Sequence, residues 1–222
     1  MKTNSNSYTI IYSSVIVIIV AFLLAFVYQA LKPRQDANVS LDVKKQILNS
    51  LNIRDLDNQA AEAKYAEVVK ESKYVMDGAD TLHYYICNLN GETKYVFQLR
   101  GMGLWGGISG YLSVNADKET VYGAYFNHES ETAGLGAEIK DNRSWQEKFQ
   151  GKRIFATSDK NHDKVVLSVD KKYNAGDADH TVDAVTGATL TSNGVRNMLQ
   201  KDLTLFKEVL TPAAGNEDNT NK

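Results

Sequence analysis

An uncharged run from Thr9 to Leu31, TIIYSSVIVIIVAFLLAFVYQAL, constrains this chain more than any other feature. Wound as an α-helix at ~1.5 Å per residue, it would be about 34 Å long, enough to cross a hydrocarbon core of about 30 Å. Backbone amides in lipid must be satisfied within the segment, so a lone span has to be helical. A cleaved signal peptide fits poorly. The apolar region is too long, no A-x-A site follows it, and no cysteine stands there to carry a lipid. The run is read as a retained single-span anchor. Lys2 and the terminal amine precede it, and Lys32 and Arg34 follow closely, so the positive-inside rule does not orient it.

The rest of the 222 residues suffices for one sizeable domain. The formal charge is -2 and no basic block is present, which argues against nucleic acid as a partner. Cys87 is the single cysteine, so there is no disulfide framework and no thiolate cluster. It lies in an alternating apolar run and reads as a buried, inert thiol. His83, His128, His162 and His180 show no ligand spacing, so no metal site is expected.

Periodicity divides the chain further. Pro33 should end the membrane helix, with residues 32–40 as a connector. Leu41–Ile53 has apolar positions 43, 47, 48 and 51 at helical spacing, and Asn58–Lys73 reads as a second helix. From Thr81 the period becomes two. TLHYYICNLN, TKYVFQLR and KVVLSVDK read as strands, and YLSVNADKETVYGAYFNH as a hairpin turning at residues 116–119. Ser144–Lys152 reads as a short helix closed by Gly151. A stripe at 195, 198, 199, 203, 206 and 210 predicts a final helix stopped by Pro212, and residues 213–222 read as a polar, disordered tail. The expected class is α+β: a tail (1–8), a transmembrane helix (9–31), the connector, and a domain over 41–212 with an antiparallel sheet and flanking helices.

Three motifs carry the chemistry. RGMGLWGGISGYLSV (100–114) holds five glycines around Leu104 and Trp105. Its G-x-G-x-x-G spacing precedes a strand rather than a helix, which excludes a dinucleotide-binding reading. Two readings stand: a tight inter-strand turn with Trp105 packed inward, or a close backbone approach to a flat ligand with Leu104 and Trp105 as its apolar surface. ETAGLGAEI, within 129–139, is a second glycine–leucine loop. DAVTGATLTSNGV (183–195) crowds hydroxyls and small residues before the last helix. Thr191 or Ser192 could cap that helix. Capping leaves Thr186, Gly187, Ala188 and Thr189 unexplained, whereas a phosphate drawn to the helix start accounts for them.

Thr186–Thr191, preceded by Asp183, resembles the [S/T]-G-A-T-x-[S/T] flavinylation motif of the FMN-binding domain family. GLWGGISGYLSV and ETAGLGAEI resemble further segments of the C subunits of Na+-translocating NADH:quinone reductases within it. Ala133 stands where those proteins usually have proline, which should loosen the loop slightly.

The resemblance implies FMN joined by a phosphoester to Thr189. Thr186, Leu104, Trp105, Glu131, Thr132 and Leu135 would line the flavin, and Gly187, Ala188, Leu190 and Thr191 would surround its phosphate. It further implies an electron relay, itself without catalytic residues, in a complex that oxidises NADH, reduces ubiquinone and exports Na+. The partners would be the other membrane and flavin-carrying subunits, plus a Mg-dependent flavin transferase using FAD. The domain would lie on the periplasmic side of a bacterial inner membrane. The alternatives are the equivalent subunit of an Rnf-type complex coupling ferredoxin and NAD, a flavin module of another extracytoplasmic reductase, and a purely structural subunit.

Overall fold

A computed structural model describes residues 6–78, 80–159, 161–171 and 178–211. The chain forms two compact units, divided between Val43 and Lys44. The first consists of most of helix α1 (Asn6–Ser50). Its apolar residues are exposed on every face, from Ile10 round to Leu31. The helix is long and apolar enough to cross a membrane. Contrary to expectation, Pro33 lies inside α1, and residues 34–40 are helical rather than a connector. Proline removes one amide donor from the ladder. Every residue after Pro33 keeps its own donor, so one missing bond does not terminate the helix.

In the second unit the last turns of α1 bury Ile47 and Leu48, with Leu51 just beyond. The helix expected over 58–73 is shorter. α2 (Asn58–Val68) is capped by Asp57, whose carboxylate accepts from the Ala60 N–H at 2.8 Å. It then gives way to strand β1 (Val69–Asp77). Pairing overrides the helical composition there: β1 forms an antiparallel ladder on β2 (Asp80–Leu89), with Tyr74 opposite His83 and Val75 opposite Leu82.

The sheet continues as a meander through β3 (Glu92–Met102), β4 (Gly107–Val114) and β5 (Val121–His128), so its strands follow chain order. The expected hairpin between β4 and β5 is present. Asp117 closes it by accepting the Glu119 and Thr120 N–H groups at 2.9 Å, while Lys118 takes a φ of 61°.

Both faces of the sheet are used. Phe97, Leu99, Leu112 and Phe126 belong to the main core with Leu199, Leu203 and Phe206, and the Phe97 and Phe206 rings lie 4.9 Å apart. These last three sit on α5 (Thr189–Leu205) or at its end, before α6 (Lys207–Leu210). All six stripe positions of the expected final helix are buried. Elsewhere on the sheet, Ser113 donates to the Ser50 carbonyl at 2.5 Å and Asn52 donates to the Tyr122 carbonyl at 3.0 Å. Gly123 is required beneath this junction, because a Cβ there would strike the Ser50 carbonyl. Cys87 is buried as expected, and burial pushes its thiol up to about 12.

Two short helices, α3 (Glu138–Asp141) and α4 (Arg143–Glu147), follow β5. Trp145 and Phe149 close on Phe126 at 5.6 and 5.1 Å, and Gly151 turns the chain at φ 76°. The strand expected over 164–171 shrinks to β6 (Ser168–Asp170). Val165, Leu167 and Val169 are buried at period two, but Val166 and Leu167 both donate to the Ile154 carbonyl instead of a ladder. β6 pairs in parallel with β7 (Thr181–Asp183), which delivers the chain to α5. Pro212 and the expected tail lie outside the described residues.

Candidate ligand-binding site

The three motifs meet at the N-terminal end of α5, and one buried carboxylate joins them. Glu131 accepts the Trp105 N–H at 2.8 Å through Oε1 and the Thr191 hydroxyl at 2.5 Å through Oε2. Burial pushes its carboxyl up, but hydrogen bonds from Thr191 and from the Trp105, Leu104 and Gly106 backbones outweigh this. The group is held below the usual carboxylate range. Glu131 is thus an ionised strut rather than a proton donor at neutral pH.

The glycines make room for that strut. The turn from β3 to β4 is closed by Gly103 N–H on the Gly106 carbonyl at 2.9 Å. A Cβ on Gly103 would stand 2.5 Å from Glu131 Oε1, and one on Gly136 would stand 2.6 Å from Thr191 Oγ1. The resulting turn points Leu104 and Trp105 outward, at 46% and 66% exposure. The reading with Trp105 packed inward is therefore corrected. Backbone groups and the Glu131 carboxylate fill the space beneath the turn, leaving no place for an indole.

The second loop folds on Thr132, whose carbonyl accepts from Leu135 at 3.1 Å and Ala137 at 3.0 Å. Gly134, at φ 71°, makes the bend. Leu135 is left 43% exposed beside the first loop's apolar pair.

The third piece starts at Gly187, with φ 77°, where a Cβ would press on Leu135. α5 then begins at Thr189, two residues before the expected cap, and its first turn has no side-chain cap. Thr191 and Ser192 do not cap it. The Thr191 hydroxyl goes to Glu131, and the Ser192 hydroxyl accepts the Val185 N–H at 3.1 Å. Inside the helix these side chains cannot reach back to the first N–H groups, so they fasten the motif to its surroundings instead. Gly194 lets the helix approach so closely that a Cβ would overlap the Met102 carbonyl.

The product is a cleft of about 370 Å³ lined by Leu104, Trp105, Glu131, Thr132, Leu135, Gly136 and Gly187–Thr191. The expected site residues thus come together, with one exception. Thr186 faces two adjoining grooves, one of them a space of about 490 Å³ shared with Lys148, Lys171, Asp183 and Thr189. Gly136, Lys148 and Lys171 line these spaces without being among the expected site residues. Gly136 was visible within its loop, whereas no spacing ties either lysine to the motif. Exposed Leu104, Trp105, Leu135 and Leu190 offer apolar surface to a flat ring, and the uncapped helix start offers N–H groups to an anion at exposed Thr189. The residues present therefore fit FMN.

Comparison with known proteins agrees with this arrangement. The FMN-binding domain family matches residues 103–204. The chain is 37% identical over 148 residues to the C subunit of the Na(+)-translocating NADH-quinone reductase of Chlamydia pneumoniae, covering 61% of this chain and 44% of that one. It is 36% identical over 157 residues to the same subunit of Haemophilus ducreyi, covering 69% and 53%. The chain thus spans about half the length of the curated relatives it matches. A solved structure of that subunit from Parabacteroides distasonis is 34% identical, with a TM-score of 0.74 over 82% of this chain and 98% of the other. NqrC of Shewanella oneidensis, at 21% identity and a TM-score of 0.61, shares the fold.

Proposed function

The chain belongs to the family formed by the C subunits of the Na+-translocating NADH-quinone reductases, and from that membership we propose that it carries FMN, held covalently on Thr189, as a relay in such a complex. The observation that carries this reading is the cleft around exposed Thr189, walled by Leu104, Trp105, Leu135 and Leu190 at the uncapped start of α5. When bound, FMN supplies one-electron transfer, and the protein binds and orients it. Leu104 and Trp105 on one loop and Leu135 on the other would flank the ring and keep water from it. Glu131 fixes the separation of those loops from α5 through Trp105 and Thr191.

For attachment, Thr189 Oγ would bond the flavin-side phosphorus of FAD. The pyrophosphate linkage would break, adenosine monophosphate would leave, and the hydroxyl proton would pass to a base. A threonine hydroxyl is a weak nucleophile alone, so a separate flavin transferase would supply that base and Mg²⁺. Donors, quinone and Na+ would be handled by other members of the complex. The apolar part of α1 would anchor the chain in a bacterial inner membrane, with the domain on the periplasmic side. A covalent tether suits that side, where lost FMN is not readily replaced.

Coexpression with a flavin transferase, followed by intact mass and in-gel flavin fluorescence, tests the reading. The wild-type chain and Thr191→Ala should carry an FMN-sized adduct, and Thr189→Ala should not. An adduct on Thr189→Ala, or none on the wild type, refutes the assignment. A reporter fused to the C-terminus tests the topology.

A further inference from the structure

Glu131 is the one charged side chain among the described residues that line the cleft beside Thr189. It is buried, and its carboxylate is held from two directions, by the Trp105 N–H of the first loop and by the Thr191 hydroxyl of α5. All of its donors are neutral. Among the described residues no lysine, arginine or histidine forms an ion pair with it. Neutral donors spread a charge without cancelling it. They hold this carboxyl ionised at neutral pH, in a buried position where water and salt screen it less than at the surface. Support of the loops does not require the charge, because a glutamine has the same shape and can make both close contacts in neutral form.

Resting on the reading of Thr189 above, we propose that the negative charge of Glu131 lowers the reduction potential of a flavin ring seated in this cleft. Each electron that the ring accepts from its donor adds one negative charge to it, unless a proton follows. That charge would arise in the same cleft as a carboxylate fixed at both oxygens, so the reduced ring is disfavoured relative to the oxidised one. The ring then gives its electron up more readily, which suits a relay. Glu131 neither gives nor takes the electron; it acts through its field.

The test uses the full chain in detergent, loaded by coexpression with a flavin transferase. Dithionite is the electron donor, added stepwise against a reference dye. Glu131→Gln should raise the midpoint potential. A nearby charge shifts such an equilibrium by about one to three tenfold steps, and hydrogen bonds already disperse this one. The constant for the first electron should therefore grow roughly tenfold, or about 59 mV. Thr191→Ala, expected above to carry the adduct, keeps the carboxylate and removes a donor that disperses its charge, so its potential should fall below wild type. Glu129→Gln is the control. Glu129 also accepts a backbone N–H, from Gly107 at 3.1 Å, but it is exposed, and its loss should leave the potential in place. Loosening of a merely structural strut would move Glu131→Gln and Thr191→Ala the same way, whereas a field moves them oppositely. An unchanged or lowered potential in Glu131→Gln overturns the proposal, as does an equal shift in Glu129→Gln. If Glu131→Gln takes up no flavin, Thr191→Ala decides alone, and a potential at or above wild type overturns the proposal. Flavin retained by Thr189→Ala would instead overturn the site assignment beneath it, a failure read from mass and fluorescence rather than from a potential.

Discussion

Replacing Glu131 by glutamine removes a charge while keeping the shape of the strut that joins the two loops to α5. Glu131 takes the Trp105 N–H on one oxygen and the Thr191 hydroxyl on the other, with the Leu104 and Gly106 N–H groups nearby. A glutamine would turn its carbonyl to the backbone donors and its amide to Thr191, whose hydroxyl can rotate to accept. The Thr191 contact then survives in neutral form. A bond to a charged group contributes about 1.5–3 kcal/mol net and a neutral one about 0.5–1.5, so the two close contacts together lose about 2 kcal/mol. At a urea m-value of about 2 kcal/mol/M, the unfolding midpoint should fall by roughly 1 M.

The assay is urea unfolding of the chain in detergent, followed by the fluorescence of buried Trp145. The pH dependence has a defined sign. The folded carboxyl sits below its unfolded value of about 4.3, so its stabilisation is complete above that pH and is lost as pH falls through the folded value. The gap between wild type and Glu131→Gln should be full at neutral pH and close at strongly acidic pH. Equal midpoints at neutral pH, or a gap that persists once the carboxyl is protonated, would refute the strut.

Three other outcomes are expected. Gly194→Ala gains about 1 kcal/mol of helix propensity but drives its Cβ into the Met102 carbonyl, so calorimetry should show a net loss of about 1–2 kcal/mol. A melting temperature equal to or above wild type would contradict that close approach. Trp105→Ala should change stability by less than about 0.5 kcal/mol, because the indole is exposed, yet should alter the absorption and fluorescence of attached flavin. An unchanged flavin spectrum would mean the indole does not flank the ring. Cys87, buried and pushed up to about 12, should resist iodoacetamide at mildly alkaline pH until urea is added. Rapid labelling of the folded chain would contradict its burial.

What the sequence settles is local or periodic. The uncharged run demands a helix because lipid offers its backbone no other partner. Alternation over 81–90 and 93–100 and the turn at Asp117 specify paired strands, and the six-position stripe, four of whose residues lie on α5 with Phe206 at its end and Leu210 in α6, marks the face that packs on them. The motifs name the residues around Thr189 because each occupies a short stretch with its own spacing. Local signals fail where a distant partner decides. The strand character of 69–73 appears only when β2 pairs with it, and 164–167 loses a ladder because Ile154 takes its N–H groups. Thr191 and Ser192 resemble caps by position, yet Glu131 and Val185 claim their hydroxyls. Trp105 looks like a core residue by size, but the Glu131 carboxylate beneath its turn leaves it outside. Lys148 and Lys171 show nothing in sequence that links them to Thr189. Only the folding of α4, β6 and α5 onto one another brings their charges to the same groove, because charge acts through space and not along the chain.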